Sequence, residues 1–428
     1  MSIKHFKRAA VSACVGVGLM LGSVTAQAGL WTLELAVQRS LEQAPERQAA
    51  QAEVLVRRGG LQQANVWPNP TVEVSGDNSL GKEDDQGGVS ITRISLSQRL
   101  PVTGRLDWQR KQAQSALMQG EAEVGQQSLT LEHSAAQTFH GLQLNRALLD
   151  LSEQQMKSAE EIQRIGVRRE QAGDLSRLER LRLDVVRETA KQRVESAEGE
   201  YAESLSHFQT LLNVTEVAPL LVALEAHPLR PLLTDLEGQL NSHPALVAAR
   251  QKVEAAGFGV GVARAHRFAD PELWLATEKS FLGGSRQTVT AVGLAFTLPL
   301  WDSNKGNVDA AQASREKAQF ELEALNRHLG NQVRLTHLHL GHLNEQSEEF
   351  RLNVLNPTQE IFELTRKGFS AGEVEVLNLV DAVETYFGAR ARYLELLQQA
   401  WLEAAELRLA AGVSLQPSIS QISKGAQP

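Results

Sequence analysis

Histidine is the residue type in this sequence best suited to chemistry, and three of them cluster at His337, His339 and His342. Imidazoles at such density could hold a divalent metal. On a helix, however, His337 and His339 point about 200° apart, so one chain cannot chelate with both. Only His339 and His342 share neighbouring faces. Solvated or interhelical histidines account for the cluster better than a metal centre, and no cofactor is expected.

Enzyme chemistry has little to stand on. The sequence holds no zincin motif, no nucleophile elbow and no phosphate-cradling glycine loop, and its scattered carboxylates suit solvated helix faces. The single cysteine, Cys14, sits in Val11-Ser12-Ala13-Cys14. That stretch resembles a lipoprotein cleavage box, but Arg8 stands too close to leave a proper apolar core before it.

The N-terminus accounts for Cys14 in another way. Lys4, Lys7 and Arg8 precede an uncharged run from Ala9 to Val24, followed by the small-residue sequence Ala26-Gln27-Ala28. This is the pattern of a secretory signal peptide, residues 1–28, cut after Ala28. The apolar run, about 16 residues, falls short of the roughly 20 that a membrane helix needs. Cleavage removes Cys14, so the mature chain forms neither a disulfide nor a thiolate metal site.

The 428-residue chain has a formal net charge of -8 and no polybasic block, which argues against a nucleic-acid partner. No later stretch approaches about 18 consecutive apolar residues. Any membrane crossing must therefore be made by strands in a closed barrel.

The elements that would position any site are written twice. At an offset of about 200 residues, Pro45 meets Pro244, Pro70 meets Pro271, Pro101 meets Pro299, and Ala172-Gly173 meets Ala371-Gly372. The same offset sets His140 against His339. The chain divides into a first repeat over 29–213, a linker over 214–234, a second repeat over 235–412 and a tail over 413–428.

Each repeat has one order of elements. Thr32 to Ala64 reads as a helix capped by Thr32, with Leu33, Val37 and Leu41 at helical spacing, and its counterpart runs from Asp235 to Arg264. Two strands follow. Val72 and Val74, then Thr92, Ile94 and Leu96, alternate with polar residues around a loop from Asp77 to Gly88. In the second repeat Leu273, Leu275 and Thr277 precede a loop from Glu278 to Arg286, and Val292, Leu294, Phe296 and Leu298 alternate with small residues. The pattern fits outer-membrane barrel strands and equally fits a half-buried soluble hairpin.

Helix length separates those readings. Gly104 to Arg168 lacks proline and predicts one helix of about 65 residues, roughly 95 Å long, which a globular domain cannot use. Asn304 to Lys367 repeats it, with a kink expected near Pro357. After each Ala-Gly turn a helix returns, over Asp174 to Leu212 and Glu373 to Ala411. In the second, Val376, Val380, Val383, Phe387, Ala391 and Leu394 form a narrow stripe suited to side-by-side helix packing. Two short helices stacked end to end would then lie along each long one, with Pro219 to Pro231 and the tail near the midpoint. Four strands cannot close a barrel with a lumen, so several copies must pool theirs. Three copies would give twelve strands, and the arithmetic equally allows two or four.

This order of elements, the turns Gln171-Ala172-Gly173-Asp174 and Ser370-Ala371-Gly372-Glu373, and the segment Val376-Leu377-Asn378-Leu379-Val380-Asp381-Ala382 resemble the outer membrane factor (TolC-like) family over essentially the whole mature chain. The resemblance implies a mostly α fold with a transmembrane β-barrel portion. It implies a homotrimer in outer-membrane lipid, with a twelve-stranded barrel continuing into a periplasmic α-helical barrel. It also implies a passive duct, whose partners are a periplasmic adaptor protein and an inner-membrane pump of the RND type.

By the same resemblance, Ala172, Gly173, Asp174, Ala371, Gly372 and Glu373 form the tip that meets the adaptor and pump. Asp381 matches one of the family's two acidic positions at the pore constriction. Asn378 departs from the other and halves the charge expected per chain. The junction Leu100-Pro101-Val102-Thr103-Gly104-Arg105 resembles that of the cobalt, zinc and cadmium exporters, which points to divalent cations as cargo; the second repeat reads Leu298-Pro299-Leu300-Trp301 instead. The competing readings are a drug or protein export duct of the same family and a periplasmic coiled-coil adaptor or stalk without a pore.

Overall fold

The computed structural model describes residues 30–77, 90–215, 221–224, 226–282 and 285–415. The expected signal peptide, Cys14, most of the first polar loop, Pro219 and the end of the tail lie outside those residues.

Proline placement sets where the helices break. The helix expected over Thr32 to Ala64 is two helices, α1 (Leu33–Gln43) and α2 (Pro45–Ala64), because Pro45 offers no N–H and Ala44 turns extended before it. Thr32 caps α1 as expected, its hydroxyl accepting from the Leu35 N–H at 3.3 Å. The second repeat breaks at the matching proline: α5 (Leu233–Gln239) and a 3₁₀ turn end at His243, and α6 (Pro244–Ala265) begins there.

The long helices also follow their sequence. α3 (Arg105–Ala172) runs 68 residues without interruption. Its counterpart divides into α7 (Lys305–Phe350) and α8 (Asn356–Ala371), joined by a π-helical turn at Arg351–Leu355. The irregularity falls just before Pro357, where the ring needs room and removes a hydrogen bond. α4 (Arg177–Leu212) and α9 (Val376–Ala411) return from the two Ala-Gly turns.

Packing arranges these helices as a layer. In the half nearer the strands the order is α2, α3, α6, α7; in the other half α4 and α9 flank the continuing α3, and α8 lies beside α9. The short helices thus stack end to end along the long ones. The expected stripe on α9 supplies the core: Val376, Val383, Phe387 and Leu394 are buried against Phe362 and Phe369 of α8 and Leu151 and Ile162 of α3, with Val380 and Ala391 partly buried. At mid-height, the Trp401 indole donates to the Ala226 carbonyl at 2.8 Å, and Glu132 accepts from the Ser414 hydroxyl and the Leu415 N–H. The linker and the start of the tail therefore lie at the middle of the long helices.

Four strands close the other end: β1 (Thr71–Asp77), β2 (Ser90–Arg99), β3 (Glu272–Leu282) and β4 (Ser285–Ala295). They form one antiparallel sheet in the order β1-β2-β3-β4, so the two repeats join through β2 and β3. The polar segment expected as a loop from Glu278 to Arg286 is mostly strand, with Glu278 paired to Val289 and Phe281 to Arg286.

Candidate functional site: the two faces of the sheet and the helical tip

Strand register sorts the sheet's side chains. Val72 lies opposite Leu96, Val74 opposite Ile94, Leu96 opposite Leu275, and Leu275 opposite Val292. With Leu273 and Leu294 they form a continuous apolar band on one face. The other face carries Glu73, Ser95, Ser97, Arg93, Glu278, Ala276, Ala291 and Gly293, with the large apolar residues Ile91, Trp274 and Val289 among them. Arg93 and Glu278 pair there at 2.6 Å. No helix packs on either face among the described residues, and Val74 and Val292 are 69% and 71% exposed.

Such a band is unstable in water, since apolar area exposed to solvent costs roughly 25 cal/mol per Å². Its partner is therefore hydrocarbon or protein, while the charged face needs water. A soluble hairpin would set its apolar face on a core, and among the described residues no helix covers this one. Trp67, Phe268 and Trp301 are exposed where strands meet helices, Trp301 at 93%. Aromatic residues are enriched where membrane proteins cross the interface with water. Among the described residues no helix is long and apolar enough to cross a membrane.

At the opposite end, the two Ala-Gly turns have one geometry. Gly173 and Gly372 hold φ of 86° and 87°, a left-handed conformation that glycine adopts without a Cβ penalty. The N–H of Asp174 donates to the Arg169 carbonyl at 2.8 Å and that of Glu373 to the Gly368 carbonyl at 2.9 Å, which closes a Schellman motif in each turn. Ala172, Gly173, Asp174, Ala371, Gly372 and Glu373 are all exposed. Asp174 and Glu373 stop the preceding helices instead of starting the next. Ser176 caps α4 in a capping box with Glu179, and Glu375 precedes α9.

One residue that sequence reasoning missed links the turns. The Arg169 guanidinium donates to the Phe369 carbonyl at 3.1 Å and stacks over the Phe369 ring at 5.0 Å. Its neighbours in sequence give no sign of this, because the contact spans the two repeats.

Asn378 and Asp381 lie one helical turn apart on α9 and are exposed, as are Thr385 and Gly388. Leu379, Val383 and Phe387 occupy the opposite, buried side of the helix. The stripe is polar and continuous from the tip upward.

The histidines scatter. His337 accepts from the Arg230 guanidinium through Nδ1 and donates to the Pro231 carbonyl through Nε2–H, while His339 lies 3.6 Å from Glu403. His140 is buried, stacked on Trp401 at 5.1 Å and bonded to Gln143 at 2.7 Å. Burial lowers its pKa to about 4, against a smaller opposing effect of the Gln143 bond. No group of three or more His, Cys, Asp or Glu residues among those described could hold a metal.

Known proteins share this arrangement. The chain is 25% identical over 407 residues to the cobalt-zinc-cadmium resistance protein CzcC of Cupriavidus metallidurans, covering 89% of this chain and 90% of that one. It is 24% identical over 343 residues to the nickel-cobalt-cadmium resistance protein NccC of Alcaligenes xylosoxydans xylosoxydans, covering 76% and 75%. The solved structure of CusC superposes with a TM-score of 0.73 at 18% identity, covering 89% of this chain and 92% of that chain. Residues 36–214 and 236–413 both match one family, one stretch per repeat, and the chain belongs to the outer membrane efflux proteins.

Proposed function

We propose that three copies of this chain close a twelve-stranded barrel in the outer membrane and continue it as a helical conduit across the periplasm. The observation that carries the reading is the sheet: one face carries an apolar band that crosses all four strands, the other the Arg93–Glu278 pair, and β1 and β4 each present an unpaired edge. Hydrocarbon accounts for the first face, a water-filled lumen for the second, and neighbouring copies for the edges. The resulting duct is passive. An adaptor and an RND-type pump supply the cargo at the tip, where the six exposed turn residues would meet them.

Divalent cations are the proposed cargo. Both resistance-protein relatives are named for such cations, and the Leu100 to Arg105 junction points the same way. Three copies of Asp381 around one axis would make an acidic ring that favours cations, with Asn378 leaving it half the charge of a two-acid ring.

Single-channel recording on the purified protein in a planar bilayer tests the reading. Asp381→Asn is expected to weaken both cation over anion selectivity and block by trivalent cations. Unchanged selectivity and block would remove Asp381 from the constriction. Recovery of the protein as a periplasmic monomer would favour an adaptor or stalk instead.

A further inference from the structure

Just below the sheet, α3, α6 and α7 leave a groove of about 860 Å³. Gly257 and Gly261 of α6 form its floor, and Trp108, Arg264, Phe268 and Arg315 line it. The Trp108 ring lies so near that a Cβ on Gly261 would stand 2.5 Å from it. Among the described residues, neither Arg264 nor Arg315 has a carboxylate within salt-bridge distance, whereas Arg57, Arg93 and Arg105 in the same half of the molecule are all paired. Glu316 is the one acid in the lining, so the groove carries net positive charge.

Hydrogen bonding and chirality fix the side on which the groove opens. The Leu100 N–H donates to the Pro271 carbonyl at 2.8 Å, so Pro271, and two residues on Leu273, direct their backbone groups toward β2. For an L-residue viewed along β3 from α6, with β4 on the left and β2 on the right, the Leu273 side chain then points up. α6 runs in the same direction, with α7 on the left and α3 on the right. Its right-handed turn carries Gly257, Arg264 and Gly261 across the upper side between them. The groove and the apolar band of the sheet therefore share one side of the wall.

We propose that this groove seats the phosphate headgroup of an anionic phospholipid from the leaflet facing the periplasm. The inference rests on the outer-membrane reading above. Two unpaired guanidiniums suit a phosphate, which they can bind through paired N–H donors. Phe268, exposed at the strand end of the groove, leads toward Leu273 and Leu294, along which the acyl chains would lie. The lipid would act as a wedge between α3 and α7 at the level where barrel becomes conduit.

Full-length protein reconstituted in phosphatidylcholine vesicles with a minor fraction of phosphatidylglycerol, then extracted gently for native mass spectrometry, tests this. Phosphatidylglycerol should be retained at about tenfold enrichment over its bulk fraction, equivalent to roughly 1.4 kcal/mol. Arg264→Gln with Arg315→Gln should abolish the enrichment, and the double Lys variant should keep part of it. Arg267→Gln, which alters a neighbouring arginine outside the lining, should leave it intact. Absence of enrichment in the wild type overturns the proposal without any variant. Equal enrichment in wild type and the double Gln variant, with both inserted as trimers, overturns it while leaving the duct reading in place. Displacement of phosphatidylglycerol by millimolar inorganic phosphate would make the groove a free-anion site and reject the lipid. Failure of the wild type to insert rejects the duct reading itself.

Discussion

Ser95 and Leu96 are consecutive residues of β2, yet they face opposite environments if the sheet is part of a lipid-embedded barrel. Leu96 lies between Val72 and Leu275 on the apolar band, and Ser95 between Glu73 and Ala276 on the charged face. Leu96 stands three residues from the strand end at Arg99, about 10 Å along the strand at roughly 3.4 Å per residue. With a tilt of about 40°, that is roughly 8 Å into an apolar belt about 25 Å tall. An arginine in lipid costs about 2–4 kcal/mol at the midplane and about 0–1 at the edge. Leu96→Arg should therefore cost about 2 kcal/mol per chain, or about 6 for a three-copy barrel. Ser95→Arg enters the lumen opposite Glu73 and should cost little. The assay is the fraction of heat-modifiable trimer in outer-membrane extracts, measured for both variants at matched expression. Leu96→Arg should deplete that fraction and Ser95→Arg should preserve it. Equal depletion, or depletion by Ser95→Arg alone, would refute the assignment of faces.

Further outcomes concern the helical part. Gly372→Ala places a Cβ at φ 87°, which should cost about 1–2 kcal/mol and lower the thermal stability of the tip; Gly173→Ala should match it, since its φ is 86°. The buried His140, with its pKa held at about 4 by burial, stays neutral in the folded chain while the unfolded chain protonates from 6.5 downward. Stability should thus be unaffected above about pH 7 and fall between about pH 6.5 and 4, by about 2 kcal/mol at pH 5. Hydrogen exchange at the amides around His140 and Trp401 would report it. His140→Phe keeps the stacked ring and removes the titration, so an equal acid loss in that variant would assign the effect elsewhere.

Much of this architecture is written in local signals. Proline and glycine positions gave the duplication, and alternation gave the strands, because both act on the backbone within a few residues. Pairs that join the repeats are a different matter. The bond between β2 and β3, the Arg169 contact with Phe369 and the groove that Arg264 and Arg315 both line all depend on how two distant segments pack, which neither alternation nor periodicity encodes. The break at Ala44 and the π turn before Pro357 were partly legible: proline marks a disturbance, but the surrounding packing decides whether the helix stops or only widens. The length of the second strand pair is hidden in the sequence because Glu278, Lys279 and Ser280 look like turn residues. They are strand residues there because Glu278 is paired with Arg93 across β2, and Lys279 and Ser280 continue the ladder opposite Thr288 and Gln287.

The open edges of the sheet have a consequence for how the proposed duct is made. A single folded chain has no comfortable solvent: in water its band of valine and leucine is bare, and in lipid the edges of β1 and β4 would leave backbone donors and acceptors unsatisfied. Folding, oligomerisation and insertion therefore cannot be separate stages with stable products between them. The sheet can reach its final form only as neighbouring copies close on one another, so its biogenesis should depend steeply on local chain concentration. Before closure, the strands should be the last part of the molecule to order, while the helices, which hold their own hydrogen bonds, can form first.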